Sequence, residues 1–155
     1  MVRQTRPFPR RTLVDDARAA IDICAVANAR LAARRLTQFM TDRMKASELG
    51  VAQFALLAQI AAASEDSLGA LVQRTGLDPS TLSRNLQVLE RDGLIEMAVD
   101  DADSRRRAVW LTEEGARRLE SALGAWRKAH AELSALVDVA SVQQLAKTTE
   151  RLGDG

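Results

Sequence analysis

Apolar residues recur along most of this chain at the spacing of amphipathic helices. The first such pattern, from Thr12 to about Lys45, predicts one long helix, and a second helix is predicted from Val51 to Ala63. Near the other end, helices are predicted from Thr112 to about Val137 and from Ser141 to about Leu152, with Thr112 and Ser141 as their N-caps. The segment between these two groups of helices has a different pattern.

The segment from Ser67 to Gly115 combines two short helical patterns with two strand-like runs. A tight turn at Thr75–Leu77 joins the helices, and the strand-like runs cover Leu94–Val99 and Ala108–Leu111. A polar loop is predicted between the two runs, and it carries Asp100, Asp101, Asp103, Arg105, Arg106 and Arg107. Helix, turn, helix and hairpin is the layout of a winged helix-turn-helix. That layout presents one helix to the DNA major groove, with a loop beside it.

The second short helix has clear ends and two distinct faces. Asp78 is a suitable N-cap, Pro79 suits the first helical position, and Gly93 is placed to end the helix. One face is an apolar stripe of Leu82, Leu86 and Leu89. The other face carries side chains that can reach base edges and phosphates, namely Ser80, Thr81, Ser83, Arg84 and Gln87. An ordinary surface helix would show the same two faces, and the predicted wing is what favours DNA contact.

Four stretches of this segment resemble the signature of the MarR-type transcriptional regulators. These stretches are Thr81–Arg84, Leu89–Ile95, Asp103–Arg105 and Leu111–Gly115. The resemblance implies a homodimeric, ligand-responsive regulator of double-stranded DNA, with repression the expected mode. The wing candidates for DNA contact are Asp103, Arg105, Arg106 and Arg107. Among them Arg105 is expected to reach the minor groove and Asp103 to orient it.

The chain is expected to form a single mainly α domain with a small β-hairpin. The winged helix is assigned to residues 51–112, and the dimerisation helices to 12–50 and 113–155. These flanking helices carry more apolar surface than one small domain can hide, which predicts a homodimer, as a two-fold operator also requires. Residues 1–11 form a basic arm with four arginines and two prolines. A disordered tail, a strap across a dimer partner and an extra phosphate contact all remain open for this arm.

Composition adds limits to this picture. Hydrophobic residues make up 46% of the chain and aromatic residues only 3%, so the core must be mainly aliphatic. The net charge of +1 gives no general attraction to nucleic acid, so DNA binding has to depend on locally placed arginines. A single cysteine, no long apolar run and no signal-peptide pattern lead us to expect a cytoplasmic protein without membrane contact.

Catalytic, metal and cofactor chemistry find little support in the sequence. The only histidine is His130, and no phosphate-binding glycine loop, nucleophile elbow or Cys/His metal spacing occurs. The wing carboxylates lack the other ligands of a calcium loop. We therefore expect neither an enzyme nor a bound metal or cofactor. The alternative function is a winged helix that binds proteins and not DNA. The polar face with Ser80, Thr81 and Arg84 argues against it, since protein interfaces favour apolar anchors.

The resemblance also implies an effector site between the dimerisation helices and the reading region. By helix assignment its candidates are Arg34, Phe39, Phe54 and Trp126, which would suit a small aromatic or amphipathic acid. Core packing is the competing role for each aromatic residue, and Trp110 is expected to pack the hairpin against its domain. Cys24 lies on the apolar stripe of the first helix, where packing is favoured over redox sensing.

Overall fold

The computed structural model describes residues 11–63, 68–100 and 103–152, and the chain divides into two compact units between Gln38 and Phe39. Most of the basic arm lies outside the described residues, as do Ser67, where the predicted winged-helix segment begins, and Asp101 of the wing. The first unit contains helix α1 (Arg11–Ile23) and the larger part of α2 (Ala25–Arg43).

The second unit contains the end of α2 and all later elements. In chain order these are α3 (Val51–Ala61), α4 (Leu68–Thr75), α5 (Pro79–Arg91), β1 (Ile95–Asp100), β2 (Asp103–Leu111), α6 (Glu113–Ser134), α7 (Val139–Thr149) and a 3-10 turn (Glu150–Leu152). The two strands form one antiparallel hairpin. The predicted fold class, mainly α with a small hairpin, is confirmed.

The first helical pattern is interrupted, so the prediction of one helix over residues 12–45 is wrong. At the break, the Cys24 N–H bonds to the Ile21 carbonyl at 3.2 Å, three residues back instead of four. The side-chain amide of Asn28 donates to the carbonyl oxygens of Asp22 and Cys24, each at 3.0 Å. These bonds compete with the regular helical hydrogen bonds and interrupt the helix. The spacing of apolar residues continues through the break, because it shows only which face of a helix is apolar. Cys24 itself is half-buried in this chain and not packed in a core.

The core of the second unit is built from aliphatic side chains, as the composition predicts. Its most deeply buried members are Leu49, Leu57, Leu71, Leu82, Leu86, Leu89, Leu94 and Ile95. They come from α3, α4, α5, the start of the hairpin and the loop before α3. No polar or charged side chain is buried among the residues that the structure describes. The winged-helix region is therefore held together by hydrophobic packing around α5.

The hairpin is longer than predicted, and this corrects the position of the wing arginines. Arg105, Arg106 and Arg107 belong to β2 and not to a loop, because pairing with β1 extends to Val99↔Arg107 and on to Asp100↔Asp103 after an irregularity. Antiparallel pairing uses backbone N–H and C=O groups, so a run of polar side chains does not end it.

Trp110 does not pack the hairpin against its domain, which is a second correction. It stands opposite Glu96 in the register, and its Nε1 donates to Glu96 Oε2 at 3.1 Å. Its exposed fraction is 37%. The pairs Ile95↔Leu111 and Met97↔Val109 alternate with the Trp110 position, and Ile95 and Val109 are buried. The hairpin is thus attached through the face opposite Trp110.

The last two helices begin at capping residues. Thr112 caps α6 as predicted, since its Oγ1 accepts from the Gly115 N–H at 3.0 Å. The predicted cap of α7, Ser141, is wrong: Asp138 caps the helix, which begins at Val139. Asp138 accepts from the Ala140 N–H at 3.1 Å and from the Ser141 hydroxyl. The Ser141 side chain therefore donates to the true cap, which precedes it by three residues.

Candidate nucleic-acid interface

Helix α5 starts at a carboxylate that gathers several hydrogen bonds. Asp78 has extended backbone angles, and its Oδ1 accepts from the Thr81 N–H at 2.9 Å and from the Ser80 hydroxyl at 2.5 Å. Bonds from the side chains of Ser80 and Thr81, in that order, hold the pKa of Asp78 well below its usual range. The carboxylate is therefore ionised at neutral pH, at the helix end where the backbone dipole favours negative charge.

The two faces of α5 are those that the sequence predicts. Leu82, Leu86 and Leu89 are buried. Ser80, Arg84 and Gln87 are exposed and follow one another at helical spacing, while Thr81 and Ser83 are half-buried. The structure therefore brings all five predicted residues of this helix together, with three of them fully available to a ligand. Sequence reasoning assigned Asp78 only the role of a cap and missed its bond to the Ser80 hydroxyl. A hydroxyl residue two positions after an N-cap aspartate is the signal for this arrangement.

A glycine with a positive φ lies on each side of α5. Gly76, with φ of 63°, lies in the turn after α4, and its N–H bonds to the Val72 carbonyl at 3.0 Å. Gly93, with φ of 72°, follows α5. Its N–H bonds to Glu90 and the next N–H to Leu89, both at 2.9 Å, the pattern of a Schellman end. Both conformations are strained for residues with a side chain, so these turns fix where α5 begins and ends.

The C-terminal end of α5 is tied to the start of α6. The Thr112 hydroxyl donates to the Gly93 carbonyl at 2.7 Å, and the Thr112 N–H bonds to the Leu94 carbonyl at 3.1 Å. Gly115, in the first turn of α6, lies so close to Leu94 that an added Cβ would be 1.9 Å from the Leu94 oxygen. The end of α5 is thereby joined to the start of α6 by two hydrogen bonds and by close backbone packing.

The predicted wing residues belong to the hairpin. Asp103, Arg105, Arg106 and Arg107 lie in β2, where Asp103 pairs with Asp100 and Arg107 with Val99. Arg105 and Arg106 fall in the irregular stretch between these two pairs. Their contacts with DNA stay predictions.

Two of the four effector candidates, Phe54 and Trp126, are in contact. The rings of Phe54 and Trp126 stack with centroids 5.8 Å apart and planes at 20°, and the His130 ring lies 4.8 Å from Trp126. Phe54 is buried and Trp126 is half-buried. Core packing therefore explains the position of Phe54, and Trp126 keeps a partly exposed ring. Phe39 lies under the guanidinium of Arg43, 4.2 Å from its ring centre. Arg34 is an exposed residue of the first unit.

A surface cavity of about 360 Å³ lies between the end of α2 and α6. It is lined by Arg43, Ala46, Ala125, Lys128, Ala129 and Glu132. Some of its lining residues are close in sequence to Phe39 and Trp126. Arg43 Nε pairs with Glu132 Oε2 at 3.1 Å, so one of the two cations is already balanced by a carboxylate. Sequence reasoning missed Arg43 and Lys128, because nothing in a helical pattern shows which of many exposed cations border a cavity.

No group of three or more His, Cys, Asp or Glu residues in residues 11–63, 68–100 and 103–152 could hold a metal ion. Within the same ranges, no helix combines the length and the apolar character needed to span a membrane.

Comparison with known proteins identifies relatives in sequence and in fold. The model of the MarR family matches residues 47–106. The transcriptional regulator HosA of Escherichia coli O111:H- is 35% identical over 92 residues, which cover 58% of this chain and 68% of that protein. The structure of the M. tuberculosis transcriptional regulator MosR in complex with DNA is 34% identical, with a TM-score of 0.69, covering 81% of this chain and 97% of that chain. The S. aureus MepR–DNA complex, at 20% identity and a TM-score of 0.67, covers 86% of this chain and 99% of that one and shares the fold.

Proposed function

The chain belongs to the MarR family of transcriptional regulators, and on this premise we propose that it is a homodimeric repressor of a two-fold DNA operator. Each α5 enters a major groove, and the half-sites lie about one helical turn apart. Residues 51–112 form the reading region, with 12–50 and 113–155 supplying the dimer contacts. Each hairpin reaches toward an adjacent minor groove, where arginine is favoured by the negative potential.

The observation that carries DNA binding is the division of α5 into two faces. Its buried leucines fix the helix against the core, while Ser80, Arg84 and Gln87 remain exposed on the opposite side. These are groups that bond to base edges and phosphates, and no large apolar residue interrupts them. A relative at 34% identity, MosR, has its structure in complex with DNA, which supports DNA binding by this chain.

The support for a homodimer is apolar surface at both ends of the chain. Large apolar side chains exposed in α1, α2 and the C-terminal elements are Leu13, Ile21, Ile23, Val26, Leu31, Leu136, Val142, Leu145 and Leu152. No residue of α7 is buried. Helices with this composition need a partner surface, and a second copy of the chain is the partner that a two-fold operator requires.

For the effector we propose a small aromatic or amphipathic acid. Its ring would lie along the Phe54–Trp126 stack, and its carboxylate would meet a cation. Arg34 remains a candidate cation, and the cavity adds Arg43 and Lys128. A carboxylate ligand could replace Glu132 as the partner of Arg43. The ligand acts as an effector only if it prefers a dimer geometry whose half-site spacing does not fit the operator.

The effector is tested by fluorescence of a Trp110→Phe variant, in which Trp126 is the one remaining tryptophan. A panel of phenolic and aromatic acids is titrated with and without operator. If a ligand weakens operator binding tenfold, operator must weaken ligand binding tenfold, about 1.4 kcal/mol each way. A ligand that binds equally well in both titrations is not an effector. If no acid of the panel binds, the protein is better described as a constitutive repressor.

DNA binding is tested by Arg84→Ala, with Arg127→Ala as the matched control. Both arginines are exposed on helices, but Arg127 lies on α6 and not on the proposed reading face. DNA sites are first selected by the wild-type protein from a random pool. Arg84→Ala should weaken binding to the selected site by about 1–3 kcal/mol with an unchanged melting temperature, while Arg127→Ala should bind nearly as the wild type does.

Two results would contradict this assignment. Unchanged affinity in Arg84→Ala would remove α5 from the reading role. Failure of the wild-type protein to enrich any DNA sequence would favour a winged helix that binds proteins.

A further inference from the structure

The Ser80 hydroxyl at the start of α5 has its proton already committed. Ser80 Oγ donates to Asp78 Oδ1 at 2.5 Å, and the Thr81 backbone N–H donates to the same oxygen at 2.9 Å. A hydroxyl group has one proton and two lone pairs. Once the proton points at Asp78, the oxygen can only accept a hydrogen bond from another partner. Ser80 is exposed, so its oxygen is accessible on the proposed DNA-binding face of α5.

We propose that Asp78 is a specificity-determining residue, which fixes Ser80 as an acceptor so that the start of α5 selects bases with an amino group. This inference rests on the proposed function, because it concerns what α5 reads once it lies in the major groove. The amino groups of adenine and cytosine are the donors on that edge of the bases, whereas guanine and thymine present oxygen acceptors. An acceptor-only position therefore distinguishes amino bases from keto bases on the contacted strand.

The same polarity disfavours a phosphate as the partner of Ser80. Phosphate oxygens are acceptors and carry negative charge, and they would meet both the lone pairs of Ser80 and the ionised Asp78. A serine with an uncommitted proton would serve either partner. The Asp78 bond thus turns a residue that could merely position the protein on DNA into one that reads a base.

Arg84 gives the reading face a second, opposite polarity. It carries only donors, and it lies four residues after Ser80, which is about 6 Å along the helix axis. Guanine, with two acceptors on its major-groove edge, is the usual partner of arginine. The exposed face of α5 therefore presents an acceptor at its start and donors one turn later. The expected half-site combines an amino base with a nearby guanine.

The experiment compares base preferences, not only affinities. Sites are selected by the wild-type protein, and every base pair of a half-site is then varied while binding is measured. Ser80→Ala identifies the base pair that Ser80 reads, because discrimination should fall there alone. At that pair the wild-type protein should favour amino over keto bases roughly threefold to tenfold, the range for one hydrogen bond.

Two substitutions at position 78 separate the polarity of the hydroxyl from the charge of the carboxylate. Asp78→Gly releases the Ser80 proton and keeps an acceptable N-cap, so the amino preference should fall to nearly equal binding. Asp78→Asn removes the charge but keeps an oxygen that can accept from Ser80, so most of the preference should remain. A double variant, Asp78→Gly with Ser80→Ala, should discriminate no worse than either single variant.

Glu90→Gln is the matched charge control, since Glu90 is an exposed carboxylate near the other end of α5. It should tighten binding to all sequences alike and leave the amino-to-keto ratio unchanged. Far-UV circular dichroism checks that each variant is folded, and if Asp78→Gly is not, Ser80→Ala and Asp78→Asn still give the ratio.

The inference is overturned if Asp78→Gly keeps the wild-type ratio, if Asp78→Asn loses it as completely as glycine does, or if the base read by Ser80 is a keto base. Each of these outcomes leaves DNA binding intact. Failure of the proposed function would differ, because the wild-type protein would then select no site.

Discussion

Gly115 is the residue at which the smallest change should have the largest structural effect. An added Cβ would lie 1.9 Å from the Leu94 oxygen and 2.8 Å from its carbonyl carbon, and both of these atoms are backbone. No side-chain rotation can relieve such contacts. The start of α6 and the end of α5 would have to separate, and the bond between Thr112 and Gly93 would be disturbed with them.

We predict that Gly115→Ala destabilises the protein by about 3 kcal/mol or more, since it forces backbone apart. Gly124→Ala is the matched control on the same helix: Gly124 is exposed, and an added Cβ there meets nothing within 4 Å. That substitution should stabilise the protein by about 0.5–1 kcal/mol through helix propensity. Urea unfolding followed by circular dichroism measures both. If Gly115→Ala left the free energy of unfolding unchanged, or raised it as Gly124→Ala should, the contact with Leu94 would relax easily.

Glu114 should make part of the stability of α6 depend on pH. Hydrogen bonds from Arg117, followed by those from Arg118, lower the pKa of Glu114 from 4.5 to about 2. A carboxyl whose pKa is lowered by folding contributes stability above its unfolded pKa and loses it as pH falls toward the folded value. The contribution should therefore be constant near neutrality and disappear between about pH 4.5 and pH 2.

The measurement compares melting temperatures of the wild type and Glu114→Gln from pH 2 to pH 7. The wild type should melt higher by a constant amount above about pH 5, and the two curves should converge as pH falls through the window set by these pKa values. Glu113→Gln is the control, because the neighbouring Glu113 carboxylate has no described bond to an arginine. Curves for Glu114→Gln that stay parallel down to pH 2 would contradict the shift.

Single residues with a local partner were the most predictable part of the site. Asp78, Gly93 and Thr112 act as helix ends where the sequence places them, because each serves backbone groups within three to five residues. The bond of Thr112 to Gly93 could not be predicted, since its partner is 19 residues away. Ser141 was mistaken for a cap because Asp138 and Ser141 both suit that role, and only the backbone angles distinguish them.

Helices and strands were predicted well where an apolar period defines them and poorly where side chains act on the backbone. The leucine stripe of α5 has such a period, and its buried residues are those expected. The break at Cys24 depends on the Asn28 amide, which the apolar pattern does not record. The wing arginines were assigned to a loop because they are polar, although β2 is held by backbone pairing. The sequence therefore predicted the strand β2 correctly but placed its start too late in the chain.

The position of Arg105 within β2 sharpens the prediction for the wing. We expect Arg105→Ala to weaken operator binding and to lower the salt slope by about one, as for a lost phosphate or minor-groove contact. Asp103→Ala should also weaken binding, although it removes a negative charge, because Asp103 is proposed to orient Arg105. Binding is measured at several salt concentrations, with the selected operator. Tighter binding by Asp103→Ala would mean that charge alone governs the wing, and the orienting role would be wrong.

At the scale of the whole molecule, the proposed dimer rests on the exposed apolar residues at the two ends of the chain. Ile23 and Leu152 are 83% and 82% exposed, and the other large apolar residues of this kind belong mainly to α1, α2 and α7. The excess apolar surface was predictable from composition and pattern. Its geometry was not, because a single sequence does not show which of these residues meet one another across two copies.

We predict that the full-length chain is a dimer at micromolar concentration, and that Ile23→Glu with Leu145→Glu converts it to a monomer. Buried carboxylates without partners strongly oppose association, whereas the control Gln73→Glu adds charge to an exposed position of α4 and should leave the dimer intact. Light scattering after size-exclusion chromatography gives the mass of each variant. A folded, monodisperse wild-type monomer at this concentration would refute the proposed assembly.

The same variants show whether the dimer is needed for reading DNA. In a dimer the two α5 helices are held at a fixed separation, so binding of one half-site places the second helix at the other, and the effective concentration of that second helix is high. A monomer loses this advantage but keeps the contacts of each α5. The charged double variant should therefore bind a full operator no better than a single half-site, whereas the wild type and Gln73→Glu should bind the full operator far more tightly. If the monomeric variant distinguished the full operator from the half-site as strongly as the wild type does, DNA itself would assemble two copies, and the apolar terminal helices would need another partner.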